Sequence, residues 1–354
     1  MDLIAHLKNL CATPGLSGHE RPIREEIASA WTDLADEVQV GALGSLTALK
    51  RGRGRKLRPR VMIAAHMDNI GLMVASVQGE FLRVSPIGGI DARVMPGQPV
   101  TVHGRRDLPG LVVAPSDFLL PAGLRGGVVT VDELLIDLGL SAAEVARQVR
   151  VGDVVSFAQG QASLNGGLLA SPAIDNRASV AAVTVCLEAL AGRAHDWDVL
   201  AVATTQEEVG LHGALTSAYA LAPQLAIAID VTFGSGPAVR DFADRCYELG
   251  KGPTIAFGPN LHPVVYKHLV DCAERGGFSY QSEPVAAHSG TDARAIQIAR
   301  EGVPCGLLGV PLRNMHTPVE VVHPQDVYTA GRLMADYIAG LGPDYLARLA
   351  RELD

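Results

Sequence analysis

Four short runs that are apolar at nearly every position, each stopped by polar residues, constrain this chain more than any other feature. They occupy residues 61–65 (VMIAA), 199–203 (VLAVA), 225–229 (LAIAI) and 303–310 (VPCGLLGV). A strand with one face in water alternates apolar and polar side chains, so a run without alternation needs cover on both faces. Strands of that kind belong to a largely parallel sheet flanked by helices. Helical spacing falls between them, over residues 177–191, 264–275 and 290–300. Strand and helix alternate, and the fold class is α/β.

Residues 71–167 break this pattern. They are rich in Gly and Pro, with short alternating runs at 72–77, 81–84, 100–102 and 154–157 and one helix-like piece at 142–150. Many short strands with frequent turns predict a small β-barrel or sandwich. Because the α/β pattern resumes afterwards, the stretch reads as an insert. The chain therefore divides into a discontinuous α/β domain, residues 1–70 and 168–354, and an inserted domain, residues 71–167. Two domains also suit a length of 354 residues. Ahead of the first apolar run, residues 3–35 have helical character interrupted by Pro14-Gly15-Leu16-Ser17-Gly18. Ser17 is expected to cap the second helix, with Glu20 as its capping-box partner.

Composition narrows the function classes. At 48 % hydrophobic and 19 % charged residues the chain has ample apolar surface to bury, which excludes a disordered protein. Thirty basic residues against 38 acidic give a net charge of −8, which argues against a nucleic-acid partner. Seven of the positive charges lie in the run KRGRGRKLRPR, residues 50–60, where Gly52 and Gly54 suit an exposed hairpin loop between two strands. Two Trp, seven Tyr and seven Phe are too few for stacking platforms that bind bases or sugars. Cys11, Cys186, Cys246, Cys272 and Cys305 stand singly with no CxxC pair, which supports neither a disulfide framework nor a thiolate zinc site. MDLIAHLKNL carries Asp2 where a secretory signal needs a basic start and an apolar core. No stretch reaches ~18 uninterrupted apolar residues, so the expectation is a cytoplasmic protein with no membrane partner.

Polar residues gather at the ends of the apolar runs. The first leads into His66-Met67-Asp68, the second into Gln206-Glu207-Glu208, the third into Asp230, and the last towards His316; Asp175 directly precedes a helix. Ligands of open α/β sheets bind outside the carboxyl ends of the strands. Two imidazoles and several carboxylates there form a ligand set suited to Zn²⁺, Co²⁺ or Mn²⁺. His66 and Asp68, two apart on a strand, should share a face, so the Asp68 carboxylate is expected behind or beside the imidazole, fixing its orientation. Adjacent Glu207 and Glu208 should diverge, one binding metal and the other serving as general base. Two such carboxylates at the end of a buried strand are costly unless a cation neutralises them. Of the remaining histidines, His288 has the most suggestive setting, just before Ser289-Gly290-Thr291-Asp292.

The motifs LSGHE, AAHMDNIG, IDLG, VRVGD, AIDNR, TQEEVGLHGA, IDVT, LGKGP, SGTDA and MHTP occur in that order from end to end. In this the chain resembles the M42 family of co-catalytic metallo-aminopeptidases, the glutamyl and tetrahedral aminopeptidase group. The resemblance implies a zinc-peptidase-like α/β fold with an inserted β-barrel between the HMD and DNR motifs. It also implies two divalent ions per subunit, Zn²⁺ or Co²⁺ with Mn²⁺ as a further candidate. Asp175 would bridge them, with His66 and Asp230 completing one site and Glu208 and His316 the other. Glu207 would be the general base and Asp68 the carboxylate that orients His66. The implied activity is release of N-terminal residues from short peptides, through a water between the ions. M42 proteins also build dimers into tetrahedral dodecamers. Three positions depart from the family pattern: Asn69 for Glu, Ser179 for Gly, and Asn314 for an aromatic residue. A small-molecule amidase or deacylase is the alternative enzyme, and a catalytically silent scaffold the non-enzymatic one. Arg93, Arg294 and Arg313 are candidates for contact with an acidic substrate side chain.

Overall fold

The computed structural model describes residues 1–53, 58–116, 118, 126–127, 129–236 and 245–353. The four apolar runs become the strands Asp198–Thr204, Arg60–His66, Leu225–Phe233 and Cys305–Arg313, side by side in that order and all parallel. Apart from one residue at an end of three of them, every residue in these strands is buried. Successive side chains point to opposite faces, and each face has its own core. Val61, Ile63, Val199, Ala201, Ile227 and Leu308 pack on one side with the helices Ile174–Ala191 and Pro324–Ala339. Met62, Ala64, Leu200, Val202, Ala226 and Leu307 pack on the other with His212–Leu221 and Asp292–Gln297. The absence of alternation in the sequence is thus the signature of a doubly covered sheet.

Antiparallel strands extend the sheet on both sides. Leu46–Lys50 pairs with Asp198–Thr204 rather than with Arg60–His66, so the basic segment is a crossover past an intervening strand and not the expected hairpin loop. Three of its described arginines meet carboxylates, Arg51 with Glu37 at 3.2 Å, Arg53 with Asp196 at 4.0 Å, and Arg58 with Asp198, while Arg60 donates to the Leu221 carbonyl at 3.1 Å. Gly54, Arg55 and Lys56 lie outside the described residues.

The strands Gly71–Gln78, Phe81–Ile87, Leu135–Asp137, Asp107–Val113, Pro99–His103 and Val154–Phe157 close into a barrel in that order. Every neighbouring pair is antiparallel. Leu72, Val74, Leu82, Val84, Val102 and Ile136 form part of a separate apolar interior. Ala162–Ser163, inside the stretch expected to be inserted, already pairs in the large sheet through Leu169–Ser171. Among the described residues no helix is long and apolar enough to cross a membrane.

Two local expectations are corrected. The helix Arg21–Thr32 begins at Glu20 with Pro22 in its first turn, and Ser17 does not cap it. The helix expected over 290–300 is the shorter Asp292–Gln297, capped by Thr291.

Candidate metal centre

The carboxyl edge of the parallel strands is a row of polar positions. His66 ends its strand and pairs with Thr204, while Asp230 pairs with Gly309. Asp230 is not a strand terminus, because its strand continues to Phe233 alongside Cys305–Arg313. Asp175 does not cap its helix either: Ala173 occupies that position with φ 60°, and Asp175 and Asn176 have non-helical backbone.

These segments bring the five expected ligands together. His66 Nε2 lies 3.1 Å from Asp175 Oδ1 and 3.5 Å from Asp230 Oδ1. His316 Nε2 lies 3.5 Å from Asp175 Oδ2 and 3.6 Å from Glu208 Oε2. Asp175 therefore offers one oxygen to each imidazole. Glu207 Oε2 stands further off, 4.0 Å from His66 Nε2. The trios His66, Glu207, Asp230 and His66, Asp175, Glu208 each have ligand atoms close enough for one ion.

The donor set fits divalent cations on its own chemistry. Asp175 Oδ1 is buried and, among the described residues, has no hydrogen-bond donor. Burial pushes Glu207 up to about 10 and Glu208 up to about 8, with Asp230 adding to the first and Asp175 to the second. Burial alone would lower His66, but the facing carboxylates of Glu207, Asp230 and Asp175 outweigh it and hold the ring well above its ordinary value. A crowd of buried carboxylates that can ionise only with difficulty is the environment a cation relieves.

Asp68 supports the site differently from the expectation. The His66 Nδ1 bond goes to the Asp68 backbone carbonyl at 3.0 Å, while the carboxylate stands 3.6 Å away. A carbonyl only accepts, so Nδ1 carries a proton, and a ring that gives up its other proton to a bound cation offers the Nε2 lone pair as a ligand. The fully buried Asp68 carboxylate accepts from Ser17 Oγ at 2.6 Å and from the backbone N–H groups of Glu207 at 3.0 Å and Glu208 at 3.2 Å. It is the anchor of the Glu207-Glu208 loop. Glu20, freed from capping, accepts from the Thr205 hydroxyl and from Gln206 N at 3.1 Å in the same loop.

Sequence reasoning missed Glu320. Its buried carboxylate accepts from Asp175 N at 2.9 Å through Oε2 and from His316 N at 3.0 Å through Oε1. One side chain thereby fixes the backbone at two ligands on different elements. Its signal was a lone acid between Val319 and Val321, four residues after His316. The barrel also reaches the site. A Cβ on Gly89 would lie 2.9 Å from His316 Nδ1, and one on Gly88 would lie 3.3 Å from Glu208 Oε2.

At the three departures, Asn69 accepts from the fully buried Arg177 guanidinium at 3.0 Å, and Asn314, at φ 58°, donates to the Val319 carbonyl at 3.1 Å. The buried Ser179 hydroxyl has no partner among the described residues. His288 is exposed and stands outside the cluster. All five ligands and Glu207 line one cavity of about 720 Å³, and of the three candidate arginines only Arg294 does so. Arg93 pairs with Asp91, and Arg313 donates to the Ser235 carbonyl at 2.6 Å.

Fold and site together define a hydrolase of the metal-dependent aminopeptidase class. The pattern of the family described as M42 glutamyl aminopeptidase matches residues 44–333, and the chain belongs to that family. It is 35 % identical to the lysyl aminopeptidase of Pyrococcus furiosus, over 95 % of this chain and 97 % of that one. The aminopeptidase APDkam598 of the archaeon Desulfurococcus kamchatkensis superposes with a TM-score of 0.91 at 36 % identity, covering 98 % and 97 % of the two chains. The TET1 peptidase of Pyrococcus horikoshii, which assembles into a tetrahedron or a large octahedral shell, gives 0.83 at 31 % identity, covering 96 % and 100 %.

Proposed function

We propose that this aminopeptidase works with two divalent ions, held by His66, Asp175, Asp230, Glu208 and His316, with Glu207 as general base. The observation that carries this reading is Asp175, a buried carboxylate with one oxygen towards each imidazole and no hydrogen-bond donor on Oδ1. Bound ions of Zn²⁺, Co²⁺ or Mn²⁺ would supply positive charge that polarises the scissile carbonyl and acidifies an attacking water. Glu207, whose carboxylate stands further from His66 Nε2 than those of Asp175 and Asp230, takes the proton of that water and returns it to the leaving amine. Asp68 and Glu20 hold the backbone of the loop that presents it, so the carboxylate is aimed without reorganisation.

The substrate class is short peptides with a free N-terminus. The family to which the chain belongs supports assembly into a homo-oligomer, and the TET1 peptidase suggests a closed shell such as the tetrahedral dodecamer. The division into residues 1–70 with 168–354 and an insert at 71–167 is our domain reading; the Ala162–Ser163 pairing moves the return to the sheet somewhat earlier than residue 168. The cytoplasm is the compartment we assign.

Elemental analysis after reconstitution tests the metal reading. Two ions per chain are expected, falling towards one in His316→Ala. Undiminished hydrolysis of aminoacyl p-nitroanilides by fully chelated protein would overturn it. Hydrolysis of N-acyl amino acids in preference to aminoacyl substrates would favour the deacylase alternative.

A further inference from the structure

One carboxylate in the cavity is committed to neither the ligand cluster nor the loop behind it. Glu283, on the strand Gln281–Pro284, lines the cavity with the five ligands and Glu207. It accepts from Thr232 Oγ1 at 2.8 Å and from Thr254 Oγ1 at 2.5 Å. Two neutral hydroxyls fix its direction without compensating its charge, and a carboxylate has lone pairs to spare. Among the described residues it has no ion-pair partner.

Its position is set by the sheet. Thr232 lies two residues along the strand from Asp230, a separation of about 6.6 Å, and points to the same face. Gly309, the neighbour of Asp230, leaves room for the carboxylate: a Cβ there would lie 3.0 Å from Glu283 Oε2. Glu283 therefore sits beside the ligand cluster, held next to Thr232 and over Gly309 on the face that carries Asp230. The same cavity is lined by apolar surfaces of Leu211, Phe233, Val285 and Ile298, which suit the methylenes of a long cationic side chain.

Charge balance supports this choice. Two divalent ions would neutralise the carboxylates of Asp175, Glu207, Glu208 and Asp230, leaving Glu283 as the uncompensated anion among the described residues lining the cavity. Arg294, the one arginine among the described residues lining the cavity, is exposed to solvent. An exposed guanidinium is screened by water, whereas a half-buried carboxylate held by two hydroxyls acts at lower dielectric.

We propose that Glu283 is a specificity-determining residue that binds the side-chain cation of the substrate's first residue, making this an enzyme for peptides that begin with Lys or Arg. This rests on the metal-site reading above, since the cluster defines where the scissile bond lies. The test uses the full chain loaded with Co²⁺ or Zn²⁺ and p-nitroanilides of Lys, Arg, norleucine and Glu. The wild type should favour Lys over norleucine by about 10- to 100-fold in kcat/KM, the scale of an ion pair in a partly desolvated site. Glu283→Gln should erase that ratio through the Lys and Arg values while leaving norleucine little changed, and Arg294→Gln should preserve it. Should Glu283→Gln fail to fold, Glu283→Asp should reduce the ratio in part. A wild type that prefers Glu or norleucine, or a Glu283 variant that loses all substrates alike, overturns the proposal; the latter result would assign the carboxylate to the α-amino group or to the scaffold. A loaded wild type that hydrolyses none of the four defeats the metal-site reading and the proposal together, which a selective loss does not.

Discussion

The carboxyl edge of the large sheet and the interior of the inserted barrel solve opposite problems. In the barrel, Leu72, Val74, Leu82, Val102 and Ile136 point inward, and stability comes from apolar surface removed from water. At the sheet edge, Asp68, Asp175, Asp230 and Glu320 are as deeply buried as many core side chains, yet each carries a group that costs free energy to desolvate. Two of them compensate by accepting backbone N–H groups of the site segments: Asp68 from Glu207 and Glu208, and Glu320 from Asp175 and His316. Asp175 and Asp230 instead face the imidazole of His66. The difference separates two kinds of buried acid, those that accept from the backbone of the site segments and those that face an imidazole, to which we assign the ions. Burial alone does not tell them apart; their hydrogen-bond partners do.

The comparison breaks most sharply at Glu207. Glu207→Ala should retain both ions by elemental analysis and lose about 10²–10⁴ in kcat, the usual contribution of a general base. Full activity in that variant would show that Glu207 belongs with the supporting acids. In the barrel, Ile136→Ala removes a fully buried side chain and should cost about 2–5 kcal/mol in denaturant unfolding, with kcat of the folded fraction unchanged. A fall in kcat would mean that the barrel interior positions Gly89 against His316.

Glu320→Gln tests the loop-holding class. The amide can accept only through its oxygen and turns an N–H group towards a backbone donor, so metal affinity should fall about 10- to 100-fold with the ligands intact. Unchanged affinity by competition with a chelator would remove Glu320 from the site. The smallest effect concerns pH. Glu207 and Glu208 have folded values of about 10 and about 8 in the absence of ions, above an unfolded value of roughly 4.3. Between those limits the native chain holds more protons than the unfolded one, so its stability falls as pH rises. Chelated protein should therefore melt a few degrees lower at pH 9 than at pH 6, and the loaded protein should show less of this loss. Equal melting of chelated protein at both values would contradict the crowding of charge described here.

Much of the site was legible because its ligands interrupt continuous apolar runs. His66 and Asp230 stand out against VMIAA and LAIAI, and Glu207 and Glu208 follow VLAVA. Six barrel strands close the insert, of which Asp107–Val113 and Leu135–Asp137 were not read: the first contains Pro109 and Gly110, and the second is too short to show alternation. Ser17 and Glu20 look locally like a capping box, and the same side chains serve a loop nearly two hundred residues away in the chain for Glu20 and the Asp68 carboxylate for Ser17. Local spacing cannot distinguish these uses, since a hydroxyl or carboxylate satisfies a near donor or a distant one equally well.

By itself the sequence determined the doubly covered parallel sheet, the interruption by a β-rich segment and the identity of the polar residues at the strand ends. Those follow from periodicity and burial, which act on neighbouring residues. Only the tertiary structure decided which carboxylates face the imidazoles and which hold backbone, that the Asp68 carbonyl rather than its carboxylate bonds His66, and that Glu283 reaches the cavity over Gly309. These are meetings of residues far apart in the chain, fixed by strand order and register, and no local pattern encodes them.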